Sequence, residues 1–457
     1  MILTRTMLTV CMAGACLLTG VATWTPPAAA RVTARGPFEF VALPASAPCV
    51  VGGAGVFPNE QPFVLPAGYT QHVVAREGDG GATDNWDMNT VNETGPSAGR
   101  FLFRSHETLE NGQVSVTDLL TGETRVLIER ADWNRMDGLV WTPWQTLLTA
   151  EEMRPERQPS TPDPLVPQAQ AGLVYEVDPT TGFAVPRPAL GAKAHEGIRF
   201  DTQGNVYGIS ETAPSTVVTP PPVPGQPPPV PRAAPGGYIF KFVPDRRGDL
   251  SSGQLYALKI VNLTTARTGA AIWIPLDRAA VQVDADAEAT RAGATGYARP
   301  EDVEIATSTG NNAGGSNVLY VAVTDEHRVL RIDLREPHGG ADHHTAFVSD
   351  YVVRGVNAPM DFANPDNLAL DKHGNLFITE DTRTPPGMDI WMAIAAPGQQ
   401  ETAHETVRFA SLTDCEAEPS GIYFDRSGKG LFVNVLHRGG PEPRLDLGMM
   451  ITRNEFD

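Results

Sequence analysis

Acidic side chains return at matched places along this chain. Asp87, Asp137, Glu196, Glu301, Asp366 and Glu418 each open a short apolar strand, and they lie 50, 59, 105, 65 and 52 residues apart. In the clearest copies (195–211, 365–381 and 418–434) the strand enters an Asp-x-x-Gly turn and a second apolar strand follows, the pattern of a hairpin. The copies at 136–152 and 299–325 are more diverged, and the weakest runs from Asp87 to Glu107. In an antiparallel hairpin, the residue before the first strand and the residue after the second share the end opposite the turn. Both places are usually acidic here: Glu196 faces Glu211, Asp366 faces Glu380 and Asp381, Asp137 faces Glu151 and Glu152, and Glu301 faces Asp325.

If these hairpins are arranged radially, about ten carboxylates converge on one end of a central channel. Two carboxylates about 5 Å apart repel by roughly 3 kcal/mol at an effective dielectric near 20. Such a set must be protonated, neutralised by arginine, or filled with cations. Hard oxygen ligands in this number favour calcium, which accepts six to eight oxygens in flexible geometry. Taken singly, each acidic residue could instead cap a turn or face solvent. Arg299, two residues before Glu301, suits an anionic ligand because its planar fork matches phosphate, or it serves as an internal counterion to the acidic rim. His106, His195 and His437 lie at or near strand ends, where a structural role competes with a chemical one.

The chain lacks a Walker loop, His-Glu-x-x-His and Cys-x-x-Cys. The run Asp284-Ala-Asp-Ala-Glu288 starts like an EF-hand loop but lacks its glycine and terminal glutamate, so it is rejected. With no evident serine or cysteine nucleophile, a metal-activated water is the more economical attacking group.

The elements that must position these residues follow from period and composition. Repeats of 40 to 65 residues with several strands each point to an all-β fold, a six-bladed β-propeller. The 44 glycines and 40 prolines among 457 residues agree, since both residues interrupt helices. The long 105-residue interval holds a proline-rich stretch, 213–236, read as a surface excursion with polyproline II character. Residues 1–30 read as a secretory signal with cleavage after Ala30, a retained anchor being the alternative. Residues 31–59 then form an N-terminal extension and 60–457 the propeller. No twin-arginine pair lies in residues 1–30, so the chain is expected to leave the cytoplasm unfolded and to acquire any metal in the periplasm or outside the cell. Without the signal's Arg5 the net charge moves from −19 to −20, which argues against nucleic acid as a partner. No stable membrane insertion is expected after cleavage, and the protein is expected to be a monomer. Only Cys49 and Cys415 outlast the signal. One disulfide between them is expected, two free thiols or Cys415 as a metal ligand being the alternatives.

Several of these elements together resemble the PhoX-type alkaline phosphatases. They are Trp141-Thr-Pro-Trp-Gln-Thr-Leu-Leu-Thr-Ala-Glu-Glu152, His195-Glu-Gly197 followed by Gly237-Tyr-Ile-Phe-Lys-Phe-Val243, Arg299-Pro-Glu-Asp302, Pro365-Asp-Asn-Leu368 and the Glu418-Pro-Ser-Gly421 hairpin ending near His437. Order and spacing match over roughly residues 60 to 440. The resemblance implies a propeller whose cleft holds calcium and iron and hydrolyses phosphomonoesters outside the cytoplasm. It implies metal ligands at Glu151 or Glu152, Glu196, Glu301 and Glu418, and a phosphate-gripping role for Arg299. With the hairpin ends, the expected ligand set is Glu107, Asp137, Glu151, Glu152, Glu196, Glu211, Glu301, Asp366 and Glu418. Arg299 and His106 are the expected catalytic residues. Arg299, Ser105 and His437 are expected to bind a small phosphoester, with Ser105 standing where the family's Asn-His-Glu element has asparagine. Asp137 stands where the family has an iron-binding cysteine, and Ser210-Glu211 replaces its paired aspartates. The expected cofactor is therefore calcium, with iron (Fe3+) disfavoured by loss of its soft ligand, and the phosphatase activity could be weak or redirected. A calcium-dependent lactonase or esterase and a non-catalytic calcium-stabilised binding propeller are the competing readings.

Overall fold

The computed structural model describes residues 31–32, 39–50, 60–155, 162–217, 232–306, 318–334, 344–382, 386–396, 401–437 and 445–454. The signal segment lies outside them. Strands dominate, and the one α-helix among the described residues is Ala285–Ala292. The Asp284 carboxylate accepts the Ala287 N–H at 2.8 Å and so caps this helix, which gives the rejected EF-hand-like run a structural role.

The arrangement is all-β and propeller-like. Four antiparallel sheets of four or five strands begin with Trp86–Val91, Met136–Trp141, Pro365–Leu370 and Glu418–Phe424. The expected six separate blades are not seen in the strand pairing. Between the second and third of these sheets, Ile198–Phe200 through Thr345–Val353 form one nine-stranded sheet. It is continuous because Gly269–Pro275 pairs with Thr345–Val353 at what would otherwise be two outer edges. The proline-rich stretch also differs from a plain excursion. Its flanks Ser215–Val217 and Arg232–Ala234 pair as a two-stranded ribbon, and 218–231 lie outside the described residues.

The strands read as apolar runs rather than alternating patterns because neighbouring sheets cover both faces. Leu147–Glu151 and Gly430–Leu436 are buried at every position. Wedges of side chains fill the space between sheets, such as Phe103, Trp141 and Tyr175 in one and Phe377, Phe409 and Met449 in another. At the axis, the strands starting at Trp86, Met136, Ile198, Pro300, Pro365 and Glu418 touch in sequence and return to the first, a closed circuit.

Distant parts of the chain complete the circuit. Tyr69–Arg76 pairs with Leu447–Arg453 as the outer strand of the last sheet, and Phe63–Val64 adds to Glu405–Leu412. Cys49 and Cys415 form a disulfide 366 residues apart in sequence, which settles their pairing and removes Cys415 as a metal ligand. The bond joins the N-terminal extension to the start of the last sheet, so it restrains the unfolded chain over most of its length. Replacing both cysteines with serine is expected to lower unfolding free energy by about 2–5 kcal/mol. Urea unfolding would show this as a lower midpoint, with a steeper slope because the unlinked unfolded chain exposes more surface. An unchanged midpoint would mean that strand pairing alone closes the fold.

Candidate functional site

A shared backbone device aims the carboxylates at the axis. In four of the inner strands the ladder register slips at a carboxylate, so that two residues oppose one. The slipped pairs are Asp87-Met88, Asp137-Gly138, Glu301-Asp302 and Asp366-Asn367. Such β-bulges bend the strand and redirect side chains. Two residues before each bulge carboxylate, Asn85, Arg135, Arg299 and Asn364 adopt left-handed φ of 42–55°. That conformation is uncommon outside glycine and is milder for asparagine than for arginine. The next inner strand lies close by. A Cβ on Gly138 would come within 2.1 Å of the Glu196 carbonyl oxygen, and one on Gly197 within 1.9 Å of Asp302 Oδ1. Only glycine fits either place.

The result is a buried acidic cluster. One oxygen each from Glu196, Glu301 and Asp366 lies within 4.8 Å of the others. Asp87, Glu107, Asp137, Glu152, Glu211, Asp381 and Glu418 act electrostatically on this group or on one another. Burial, followed by neighbouring carboxylates, pushes Glu196 and Glu301 well above the usual carboxylate range. Asp366 is pushed up to about 7, first by burial and then by Asp381. Two arginines offset part of the charge. Arg299 Nε lies 2.7 Å from Glu211 Oε1 and 2.8 Å from Glu301 Oε1, and its Nη1 lies 2.7 Å from Asp381 Oδ2. The Glu301 contact is an ion pair without hydrogen-bond alignment. Arg135 pairs with Glu107 and lies 3.6 Å from Glu152.

Several expected site residues belong to the framework instead. Glu151 Oε1 accepts the Asn134 N–H at 3.1 Å and Oε2 the Leu173 N–H at 3.0 Å, so both oxygens are committed to backbone. Glu152, the next residue, faces the cluster. His106 is fully buried, with Nε2 2.8 Å from Ser115 Oγ and Nδ1 3.1 Å from the Thr83 carbonyl. Burial, with the nearby Arg104 charge, pushes its pKa down to about 3, which leaves a neutral core ring in place of the expected catalytic histidine. Ser105 Oγ accepts the Met88 N–H at 3.0 Å, so this hydroxyl supports a bulge and does not face a substrate. His195 is buried with Nε2 2.9 Å from the Gly191 carbonyl. His437 is exposed, one residue past Leu436, which pairs with Glu418.

Asp87, Asp381, Arg135 and Asn367 belong to the site but were missing from the expected set. One signal lay in the sequence: Arg135 precedes Asp137 by the same two residues that separate Arg299 from Glu301.

The donors fit a hard divalent cation. All are carboxylate oxygens, and among the described residues no thiolate is available because Cys49 and Cys415 form the disulfide. Asp137 Oδ1 is buried without a hydrogen-bond partner, and the charges of Asp87, Glu107, Asp366 and Glu211 act on this carboxyl. An orphaned buried oxygen beside like charges is costly unless a cation meets it.

Comparison with known proteins bears on the same segment. A family model described as "Alkaline phosphatase PhoX" matches residues 233–439. This stretch is similar to the PhoX family. It contains Arg299, Glu301, Asp366, Asp381 and Glu418, whereas Asp87, Asp137 and Glu196 precede it. No curated protein matches the chain. Among solved structures, a Xanthomonas campestris gluconolactonase is similar at 15% identity, covering 93% of this chain and 99% of its own, with a TM-score of 0.44. The β-propeller domain of Cps50 (Swd1) from Myceliophteria thermophila is similar at 14% identity, covering 83% and 99%, with a TM-score of 0.42. Among the described residues, no helix is long and apolar enough to cross a membrane.

Carboxyls with raised folded pKa values stabilise the fold while protonated, below their ordinary values near 4. That contribution is lost as pH rises toward about 7, where Asp366 titrates. In chelator the melting temperature is therefore expected to fall between about pH 4 and 7. The rise in melting temperature on adding calcium is expected to grow over the same interval, measured by scanning fluorimetry. A calcium effect independent of pH would disconnect the cation from these groups.

Proposed function

We propose that this protein is an exported phosphoric ester hydrolase of the PhoX kind, acting on small phosphomonoesters in the periplasm or outside the cell. The observation that carries this reading is the seat of Arg299 beside Glu301, within the family-matched segment and next to the converging oxygens of Glu196, Glu301 and Asp366. We take the nine-stranded sheet as two blades joined at their outer edges, making six around the axis, and the protein as a monomer.

Glu196, Glu301 and Asp366, with Asp137 and Asp87 nearby, would hold calcium. Iron is not favoured, because the donors are oxygens alone. Bound calcium supplies charge neutralisation and polarisation of a phosphoryl oxygen. A phosphate dianion would otherwise be repelled by the carboxylates, so the acidic cluster itself makes substrate binding cation-dependent. Arg299 is held by Glu211 and Asp381 in a fixed orientation, with its side chain about a quarter exposed. From there it can meet a phosphate edge-on and stabilise charge that develops on the transferring group. His437, exposed at the Glu418 end, is a candidate contact for the ester's leaving portion.

Hydrolysis of p-nitrophenyl phosphate by the purified protein, with and without chelator, tests this reading. Calcium-dependent turnover is expected, with kcat/KM falling at least about 100-fold in both Glu301→Gln and Arg299→Ala. A lactone run in parallel discriminates the competing hydrolase. Lactone turnover without phosphate release would replace this reading, and bound calcium with no turnover of either substrate would make the protein a binding propeller.

A further inference from the structure

Asn367 occupies the second position of the bulge that carries Asp366 and is 1% exposed. Its carboxamide is used on both sides. Nδ2 donates to Glu196 Oε1 at 3.1 Å and to Asp366 Oδ1 at 3.0 Å. Oδ1 accepts the Gly421 N–H at 2.5 Å and the Ser420 hydroxyl at 3.0 Å. A backbone N–H can only donate, so the amide oxygen must face Gly421. The NH2 group must then face the carboxylates.

We infer that Asn367 is a positioning residue that presets the oxygens of Glu196 and Asp366 for a divalent cation and anchors them to the strand Glu418–Phe424. This rests on the cation reading proposed above. Physical chemistry favours an amide here over the alternatives. A lysine or arginine would align the same oxygens but add a charge that competes with the cation, and an aspartate would add repulsion. Asparagine orients two like-charged groups while leaving the net charge of the site unchanged. Each carboxylate also keeps acceptor capacity, since one N–H uses one of about four lone-pair positions. The buried, unpartnered Asp137 Oδ1, on whose carboxyl the Asp366 charge acts, independently indicates that an oxygen beside these carboxylates needs a cation. The anchor continues to the next inner strand, because Ser420 Oγ also contacts Asp87 Oδ1. One amide thereby couples ligands from separate inner strands.

Calcium titration calorimetry on the wild-type chain, Asn367→Leu and Ser420→Ala tests the role, with thermal melting of each in chelator. Asn367→Leu is expected to weaken calcium binding about 10–100-fold, as loss of an outer-shell partner does. Ser420→Ala, which removes the hydroxyl's contacts with Asn367 Oδ1 and Asp87 Oδ1 but leaves the amide's bonds to Glu196 and Asp366, is expected to cause a smaller loss. Melting in chelator should stay cooperative, since a cation-positioning role acts on affinity. Wild-type affinity in Asn367→Leu, with or without a lowered melting temperature, overturns the inference. If Asn367→Leu does not fold, Ser420→Ala decides alone, and unchanged affinity there overturns it. A wild-type chain that binds no calcium overturns the cation reading itself, and this role with it.

Discussion

Burial of like charges around an axis is the constraint on which the rest of this structure depends. Glu196, Glu301 and Asp366 place oxygens within 4.8 Å of one another, inside a protein and away from bulk water. Desolvation and mutual repulsion both oppose the charged form, and both push these carboxyls upward. A fold holds such a group only if its backbone over-determines the positions. The arginines relieve part of the repulsion, and the all-oxygen donor set leaves room for a hard cation to relieve more.

The backbone meets that constraint by repetition. Each bulge inserts one residue where a carboxylate must turn inward, and the residue after it governs the approach of the next inner strand. Where backbones nearly touch, that residue is Gly138, and Gly197 plays the same part after Glu196 without a bulge in the strand that follows. At another bulge it is a hydrogen-bonding side chain, as when Asp302 Oδ2 accepts the Leu368 N–H at 2.8 Å. The same short segment therefore positions a charged group and fastens the circuit of strands. The long-range pairing of Tyr69–Arg76 with Leu447–Arg453 and the disulfide keep that circuit from opening.

Framework and chemistry are divided between adjacent residues in a way that side-chain type conceals. Glu151 and Glu152 are chemically alike and consecutive, yet the first satisfies two backbone amides and the second joins the acidic cluster. Alternation along a strand sends neighbours to opposite faces, so one residue of register decides which role each takes. His106 and Ser105 show the same division. Both lie within a strand, and their polar atoms are consumed by Thr83, Ser115 and Met88 in the sheet's own packing.

The sequence by itself determined the repeated hairpin, the all-β class, the convergence of hairpin-end carboxylates and the arginine at their edge. These follow from periodic apolar runs and from charges at fixed offsets, both local properties. It also made the Cys49–Cys415 pairing an expectation, since only these two cysteines lie beyond the expected signal. Only the tertiary structure decided which of two neighbouring glutamates points inward, that Arg299 is held by three carboxylates, and that one sheet runs continuously through nine strands. It alone placed Asn367 between Glu196, Asp366 and Gly421, residues that come together across three inner strands. The reason is physical: bulge position and inter-strand approach are set by the closed packing of the whole circuit, and no local window of sequence contains them.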